Sequence, residues 1–157
     1  MATLQWAIMC ERAILEEQTG VVSLIAVLET VMLPPPPPSF LEDQQQRPVV
    51  PYRFYLVHQW ARSNPEIGER VPGRILLLAP NGEQYGSSEF VVDLTAAMRA
   101  RIIGQTIGFP LFGPGVYRCV IQTRVKTKWR KAGETEFGVA FVEPGATRPR
   151  PPSRQRH

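Results

Sequence analysis

Residues 112–128 read FGPGVYRCVIQTRVKTK, and this stretch does most to decide the fold. From residue 116 onward its side chains alternate between two faces, which is the period of a β-strand. The apolar face carries Tyr117, Cys119, Ile121 and Val125, and the other carries Arg118, Gln122, Arg124, Lys126 and Lys128. We predict a strand with one apolar face packed in the core and one basic face exposed to solvent. A turn around residues 131–134 follows, and then a return strand whose core face carries Phe137, Val139 and Phe141.

The head of this strand has a Gly-x-Tyr-x-Cys pattern, as an immunoglobulin strand has before its disulfide. A tyrosine at such a place can bond its hydroxyl to the backbone of the preceding connection and lock a sandwich corner. Gly113 and Gly115 allow the close approach that this needs. Tyr117 is therefore either a corner residue or simply a half-buried aromatic.

Short strand-like segments recur along the rest of the chain, with turn signals between them and no long helical pattern. They cover residues 4–14, 21–33, 52–62, 74–79, 89–94 and 101–107. The pattern predicts an all-β domain over residues 1–143, a two-sheet antiparallel β-sandwich, immunoglobulin-like in character, with about eight strands. A closed barrel is the alternative. Residues 144–157 lack apolar periodicity and are predicted to be a disordered Pro/Arg-rich tail.

Three connections have recognisable chemistry. The EEQTG segment, residues 16–20, predicts a hairpin turn with its glycine at positive φ. The five prolines at residues 34–38 must end a strand, and at about 3.1 Å each they are long enough to cross between sheets. A ligand for an aromatic groove is the other interpretation of this run. Asn81-Gly82 predicts a type I′ hairpin turn.

The amino terminus lacks the basic and apolar regions of a secretory signal, and no stretch reaches the roughly 18 apolar residues of a membrane span. We therefore expect a cytoplasmic protein with no membrane partner. Cys10 and Cys119 lie far apart in sequence, and a reducing compartment would keep both as thiols. Both are expected to be small apolar core residues.

Charge is distributed unevenly along the chain. Residues 1–93 carry a net charge of −5 and residues 94–157 a net of +9, which together give the +4 of the whole chain. Five basic residues share one strand parity and form the predicted basic stripe: Arg118, Arg124, Lys126, Lys128 and Arg130. Trp129 has the opposite parity. Such a stripe suits phosphate contacts, or it protects an edge strand against aggregation.

Catalytic side chains are scarce. His58 is the only histidine before the last residue, and its parity places it on a strand face with Phe54, Leu56 and Trp60. One histidine cannot build a metal site with several ligands, and no nucleophile elbow or phosphate-binding loop occurs. We expect no enzyme activity, no metal and no cofactor.

Three segments together resemble a family of small bacterial proteins of unknown function. They are MCERAILEEQTGVVSLIAVLETV at residues 9–31, LLAPNGE at residues 77–83 and FPLFGPGVYRCVI at residues 109–121. The resemblance implies a compact bacterial β-sandwich and no catalytic residue or ligand. The five-proline run and the arginine-rich tail depart from the family pattern.

Two functional hypotheses follow from these observations. The leading one is a non-enzymatic module that binds another protein through an exposed strand edge or a sheet face. The alternative is an accessory nucleic-acid-binding protein that uses the basic strand and the arginine-rich tail.

Overall fold

The computed structural model describes residues 2–38 and 47–142, most of which lie in β-strands. Nine strands follow one another: β1 Ala2–Leu15, β2 Val22–Val27, β3 Thr30–Leu33, β4 Val49–Arg62, β5 Arg70–Leu78, β6 Gln84–Asp93, β7 Arg99–Pro110, β8 Gly115–Val125 and β9 Lys128–Phe141. Within this part of the chain, no helix has the length and apolar character that crossing a membrane requires. The predicted disordered tail, residues 144–157, lies outside the described residues.

The strands form two sheets, in the orders β2-β1-β4-β7 and β3-β9-β8-β5-β6. Buried side chains from both sheets form one core cluster, so the predicted two-sheet β-sandwich is confirmed. All neighbouring strands pair antiparallel except β3 and β9, which are parallel. The antiparallel prediction therefore has one exception, and residues 2–38 and 47–142 contain nine strands where about eight were expected.

That exception arises because the chain changes sheets in the middle of the run predicted as one strand over residues 21–33. Ala26 adopts a φ of 54°, and β2 ends one residue later. The N–H of Leu28 then donates to the Met9 carbonyl of the first sheet at 2.8 Å, while the Gly138 N–H of the second sheet donates to the Glu29 carbonyl at 2.7 Å. The five prolines follow β3 and precede β4, so their segment returns the chain to the first sheet.

The centre of the core is aromatic. The rings of Phe109 and Phe137 lie 5.3 Å apart at a steep angle, and the ring of Tyr117 lies 5.3 Å from both of them. Phe54 of the first sheet meets Phe137 at 5.5 Å. Edge-to-face and offset contacts of this kind add about 0.5–1.5 kcal/mol each to the burial of the rings. β4, β7, β8 and β9 are thereby fixed against one another.

Of the two interpretations of Tyr117, the structure shows the sandwich corner. Its hydroxyl accepts from the Phe112 N–H at 2.8 Å and donates to the Gly113 carbonyl at 3.2 Å. Gly115 has a φ of 134°, and a Cβ there would lie 2.9 Å from Cβ of Pro80. Gly115 is therefore required by backbone conformation and by close contact, whereas Gly113, with a φ of 116° and nothing within 4 Å of a Cβ, is required by conformation alone.

Of the two predicted hairpin turns, one forms as predicted and the other differs in type. Residues 16–20 form the predicted hairpin turn, and Gly20 has a φ of 67°. The hairpin at Asn81-Gly82 is also present, but only Gly82 has positive φ, and its N–H donates to the Ala79 carbonyl. Because this bond makes Pro80 and Asn81 the central residues, and the φ of Pro80 is fixed near −65°, the turn is of type I and Gly82 follows it as a bulge residue, instead of the predicted type I′ turn.

A bulge at Gln5 reverses the faces of β1. Leu4 pairs with Trp60, but Trp6 pairs with Gln59, so one extra residue lies between them. Leu4 consequently shares the core face with Ala7 and Met9. Simple alternation along residues 4–14 predicts that Leu4, Trp6, Ile8 and Cys10 share one face. This prediction is wrong, because beyond the bulge the last three point to the outer face of the first sheet.

Candidate binding surfaces

The predicted basic stripe changes direction at a turn. β8 ends at Val125 and β9 begins at Lys128, so the turn consists of Lys126 and Thr127, with Lys126 at a φ of 57°. The prediction of a turn at residues 131–134 is wrong. Ile121 pairs with Gly133 and Gln122 with Lys131, so Ala132 is the extra residue of a bulge in the return strand.

The five residues of the stripe therefore do not share one face, and this prediction is wrong as well. Arg118 and Arg124 lie on the outer face of the second sheet, and Lys126 is at the turn. Lys128 pairs with Val125, and Arg130 pairs with the buried Thr123, on the side that faces the first sheet. What the fold brings together is a basic hairpin tip in which side chains point in several directions.

Acidic side chains of β9 accompany the outward part of the stripe. Glu136 lies opposite Arg118, and Lys131 pairs with Glu134 at 2.8 Å. The hydrogen bond from Lys131, with the charge of Arg118 adding to it, lowers the pKa of Glu134. The outer face of this hairpin is therefore mixed in sign.

Trp129 also differs from its predicted parity. It lies opposite Arg124 on the outer face, and the guanidinium of Arg74 stacks over its ring at 4.4 Å. Arg74 is held by a 2.7 Å hydrogen bond from its Nε to Gln122. The sequence did not reveal this cation–π pair because the position of the turn determines which residues share the face.

β9 has a long open side. β3 pairs with it only from Gly138 to Phe141, so within the described residues no strand is hydrogen-bonded to the other side of residues 128–137. Two clefts lie at the ends of this open side. One, of about 490 Å³, is lined by Ala7–Met9, Val27–Thr30, Val116 and Thr135–Gly138, and the other, of about 310 Å³, is lined by Ala2–Leu4, Thr123, Val125 and Arg130–Ala132.

The β1–β2 hairpin forms an arm, residues 11–27, that curls over the outer face of the first sheet. Its turn contacts the far edge strand, where Nη1 of Arg101 donates to the Gly20 carbonyl at 2.8 Å. Gln59 pairs with both Trp6 and Arg101, so in a flat sheet Gly20 would lie about 30 Å or more beyond Arg101. Curling brings the two together.

The arm accounts for two residues that are buried although they lie on the outer face of the first sheet. Val57 and Cys10 point away from the main core, yet both are fully buried. Tyr52 anchors the base of the arm by donating to Glu11 at 2.5 Å, and burial together with this carboxylate raises the pKa of Tyr52 to about 12. Burial also raises the pKa of the Cys10 thiol.

The arm exposes a group of aliphatic side chains, namely Ile14, Leu15, Val21, Ile25 and Val27. The charged residues Glu11, Arg12, Glu16 and Glu17 of its first strand and turn are also exposed. The edge strand of the arm, β2, lies in a segment, residues 20–28, that has neither charge nor proline. The other described edges differ: β6 and β7 carry charged residues, the open half of β9 carries lysine, arginine and a bulge, and β3 is four residues long and precedes the prolines.

His58 lies in the core, on the face predicted for it. Its Nδ1 accepts from Nε1 of Trp60 at 2.7 Å, and its ring lies 4.8 Å from that of Phe90. The Nε2 atom is buried without a hydrogen-bond partner in the described chain. Burial lowers the pKa of His58 to about 4. Neither cleft beside β9 is lined by this side chain.

Both cysteines are free and buried, as predicted. Cys119 belongs to the main core, where burial raises its pKa to about 12, whereas Cys10 lies on the outer face of the first sheet. In residues 2–38 and 47–142, no three His, Cys, Asp or Glu side chains are grouped so that they could hold a metal ion.

Comparisons with known proteins identify no family. No family model matches the chain, and no curated protein matches it. The resemblance to small bacterial proteins of unknown function stays a prediction. Among solved structures 32 chains match, including a glycosyl hydrolase family 2 member from Bacteroides cellulosilyticus DSM 14838, with a TM-score of 0.43 and 13% identity. That match covers 55% of this chain and 12% of the other chain.

Proposed function

We propose that this protein is a non-enzymatic binding module that recruits another protein. An extended segment of that partner would pair, as an added strand, with the open side of β9. The observation that carries the proposal is the length of that open side. β9 has 14 residues, and β3 pairs with four of them. A strand with free backbone donors and acceptors is a ready template for an incoming strand.

Specific backbone groups face the incoming segment. The N–H of Gly138 donates toward β3, to the Glu29 carbonyl. Because backbone groups alternate sides along a strand, the N–H and C=O groups of Glu136 and Glu134 point to the same side, where no described strand meets them. The added segment would continue the line of β3 toward the hairpin tip.

The two clefts would accept side chains from such a segment. The side chain of Leu4 lies between the two clefts and contacts Gly133. A Cβ added to Gly133 would lie 2.6 Å from Cδ2 of Leu4. A strand along β9 would place alternate side chains toward the clefts and toward solvent. Main-chain bonds would thus supply affinity, and the clefts would supply selectivity.

Charge indicates the chemistry of the partner. Lys128, Arg130 and Lys131 lie at the hairpin end of the open side, and Lys131 is already paired with Glu134. Lys128 and Arg130 have no ion-pair partner within the described residues. They would favour a segment with acidic side chains at that end and disfavour a basic one. The cytoplasmic location and bacterial source expected from the sequence complete this proposal.

Quantitative affinity capture from lysate of the native host tests this function. We expect Arg130→Glu and Glu136→Pro to reduce recovery of the partner about tenfold or more, which corresponds to about 1.4 kcal/mol. The proline removes an N–H that faces the open side and no bond to β8. Arg99→Glu, an exposed charge reversal on β7, is the matched control and should capture as the wild type does.

Equal capture by all four baits, or recovery of the bait alone, would contradict the proposal. Melting curves followed by circular dichroism establish that each variant is folded. If Glu136→Pro is unstable, Arg130→Glu decides the outcome, because its side chain is exposed and makes no described hydrogen bond.

A further inference from the structure

The arm presents a second edge whose composition fits a different partner. We infer that β2 pairs antiparallel with β2 of a second copy of this chain, forming a two-fold symmetric homodimer. The inference uses a surface other than the β9 edge of the proposed function, so either can fail without the other.

Lack of protection is the first argument. Natural edge strands avoid association through charge, proline, bulges or shortness. β2 is six residues long, has no charge or proline from residue 20 to residue 28, and is irregular only at Ala26 near its end. Every other described edge has at least one of these protections. An edge left open in this way is expected to be covered by another strand.

Self-complementarity selects a second copy as the occupant. A two-fold axis perpendicular to the sheet makes the paired strands antiparallel and places the same patch on both copies. With the axis through Ile25, which then meets Ile25 of the second copy, Ser23 meets Val27 and Glu29 meets Val21. No like charges are opposed, because the uncharged segment is long enough to pair with itself. The same absence of charge gives β2 nothing with which to select an acidic or a basic partner.

The size of the contact sets its strength. A stable dimer buries about 1,200–2,000 Å² in total, and six paired residues alone fall short of this. The exposed side chains of Ile14, Leu15 and Ile25 add apolar area along the same arm. We therefore expect a reversible dimer with a dissociation constant on the order of micromolar.

Sedimentation velocity of the full chain from about 1 to about 100 μM tests the dimer, since this range brackets such a constant. Wild type should shift from monomer to dimer as concentration rises. Ile25→Lys should stay monomeric, because two lysines would face each other across the axis. The control is Val91→Lys on edge strand β6, since Val91 is 45% exposed and Ile25 is 43% exposed. It should dimerise like the wild type.

Amide hydrogen exchange identifies the paired strand. Protection at residues 22–27 should increase with concentration in the wild type and not in Ile25→Lys. If Ile25→Lys does not fold, Ser23→Lys, at an exposed position of the same strand, takes its place. A wild type that stays monomeric throughout, or a dimer that both β2 variants retain, overturns the inference. So does a monomer that captures a different protein through Ile25, since β2 would then belong to that partner.

Discussion

β9 and β2 are both strands with an open side, but their sequences treat that side in opposite ways. β9 carries Lys128, Arg130, Lys131 and two glutamates, and a bulge interrupts it at Ala132. β2 carries no charge, and the exposed charge nearest to it is Arg12 of β1, which pairs with Ile25. Charge on an edge excludes most strands and admits a complementary one, whereas an uncharged edge is selective only for shape. This difference is the reason for proposing a foreign segment as the partner of β9 and a second copy of the chain as the partner of β2.

The two edges also differ in how firmly the fold holds them. β9 contributes Phe137 to the aromatic centre of the core, while the arm that carries β2 meets the body through a smaller contact. A rigid template lowers the ordering cost of strand addition, because the receiving backbone is already in place. The arm can open locally without loss of the sandwich.

The largest expected effect is on the free energy of unfolding, and it distinguishes the attachment of β9 to the core from that of the arm. Phe137→Ala should lower the free energy of unfolding by about 3–5 kcal/mol, because it removes a ring that contacts Phe54, Phe109 and Tyr117. Leu24→Ala, at a half-buried position of β2, should cost about 1 kcal/mol. Chemical denaturation measures both. Equal losses would show that the arm belongs to the main core and would remove the contrast.

Acid should weaken the core that holds β9. The pKa of His58 is about 4 in the folded chain, below its ordinary value of 6.5, so the unfolded chain binds the extra proton first. Stability should be complete above pH 6.5 and fall as the pH approaches 4, by about 3 kcal/mol in all. Denaturation at several pH values measures this slope.

His58→Gln is the matched variant for the acid effect, since it keeps an acceptor for Nε1 of Trp60 and cannot titrate. Its stability should vary much less between pH 6.5 and pH 4 than that of the wild type. An unchanged slope would assign the acid sensitivity to other groups.

Loss of the hydrogen bond between Arg101 and the Gly20 carbonyl should increase local opening of the arm and leave β9 unchanged. Arg101→Ala removes the bond to the Gly20 carbonyl, worth about 1 kcal/mol, so the arm should open several-fold more often. A thiol reagent reports this, because Cys10 lies at the base of the arm and Cys119 in the core. Cys10 should react faster in Arg101→Ala than in Arg99→Ala, while Cys119 stays protected. Equal acceleration of both thiols would mean global loosening.

The sequence predicted the elements that local alternation and turn chemistry determine. These include the β8 strand, the Tyr117 corner, the placement of His58 and the turn at Gly20. It did not predict features that depend on pairing between distant segments. A bulge at Gln5 or Ala132 leaves composition unchanged but reverses every later face.

The basic stripe shows the same limit at the candidate site. Nothing in the sequence marks Lys126 as a turn residue, since lysine rarely adopts positive φ, whereas Gly133 nearby looked like the better turn. Residues 21–33 have a strand-like pattern both before and after Leu28. No local feature of the sequence therefore predicts that the chain changes sheets there. The hydrogen bond from Arg101 to the Gly20 carbonyl joins residues 81 positions apart, so no periodic pattern in the sequence could predict it.

The smallest effect is expected where the alternative function, nucleic-acid binding, would act. Arg124, Lys126, Lys128 and Arg130 are gathered at one hairpin tip, but they point in several directions, and Glu134 and Glu136 follow on the same strand. We expect weak retention on heparin or DNA that disappears as salt rises, and the double variant Lys126→Glu/Lys128→Glu should remove it. Retention that persists at physiological salt and is lost in the double variant would instead make the tip a nucleic-acid site. The open side of β9 would then have to accept its strand beside bound phosphates, and its preference for acidic partners would fail.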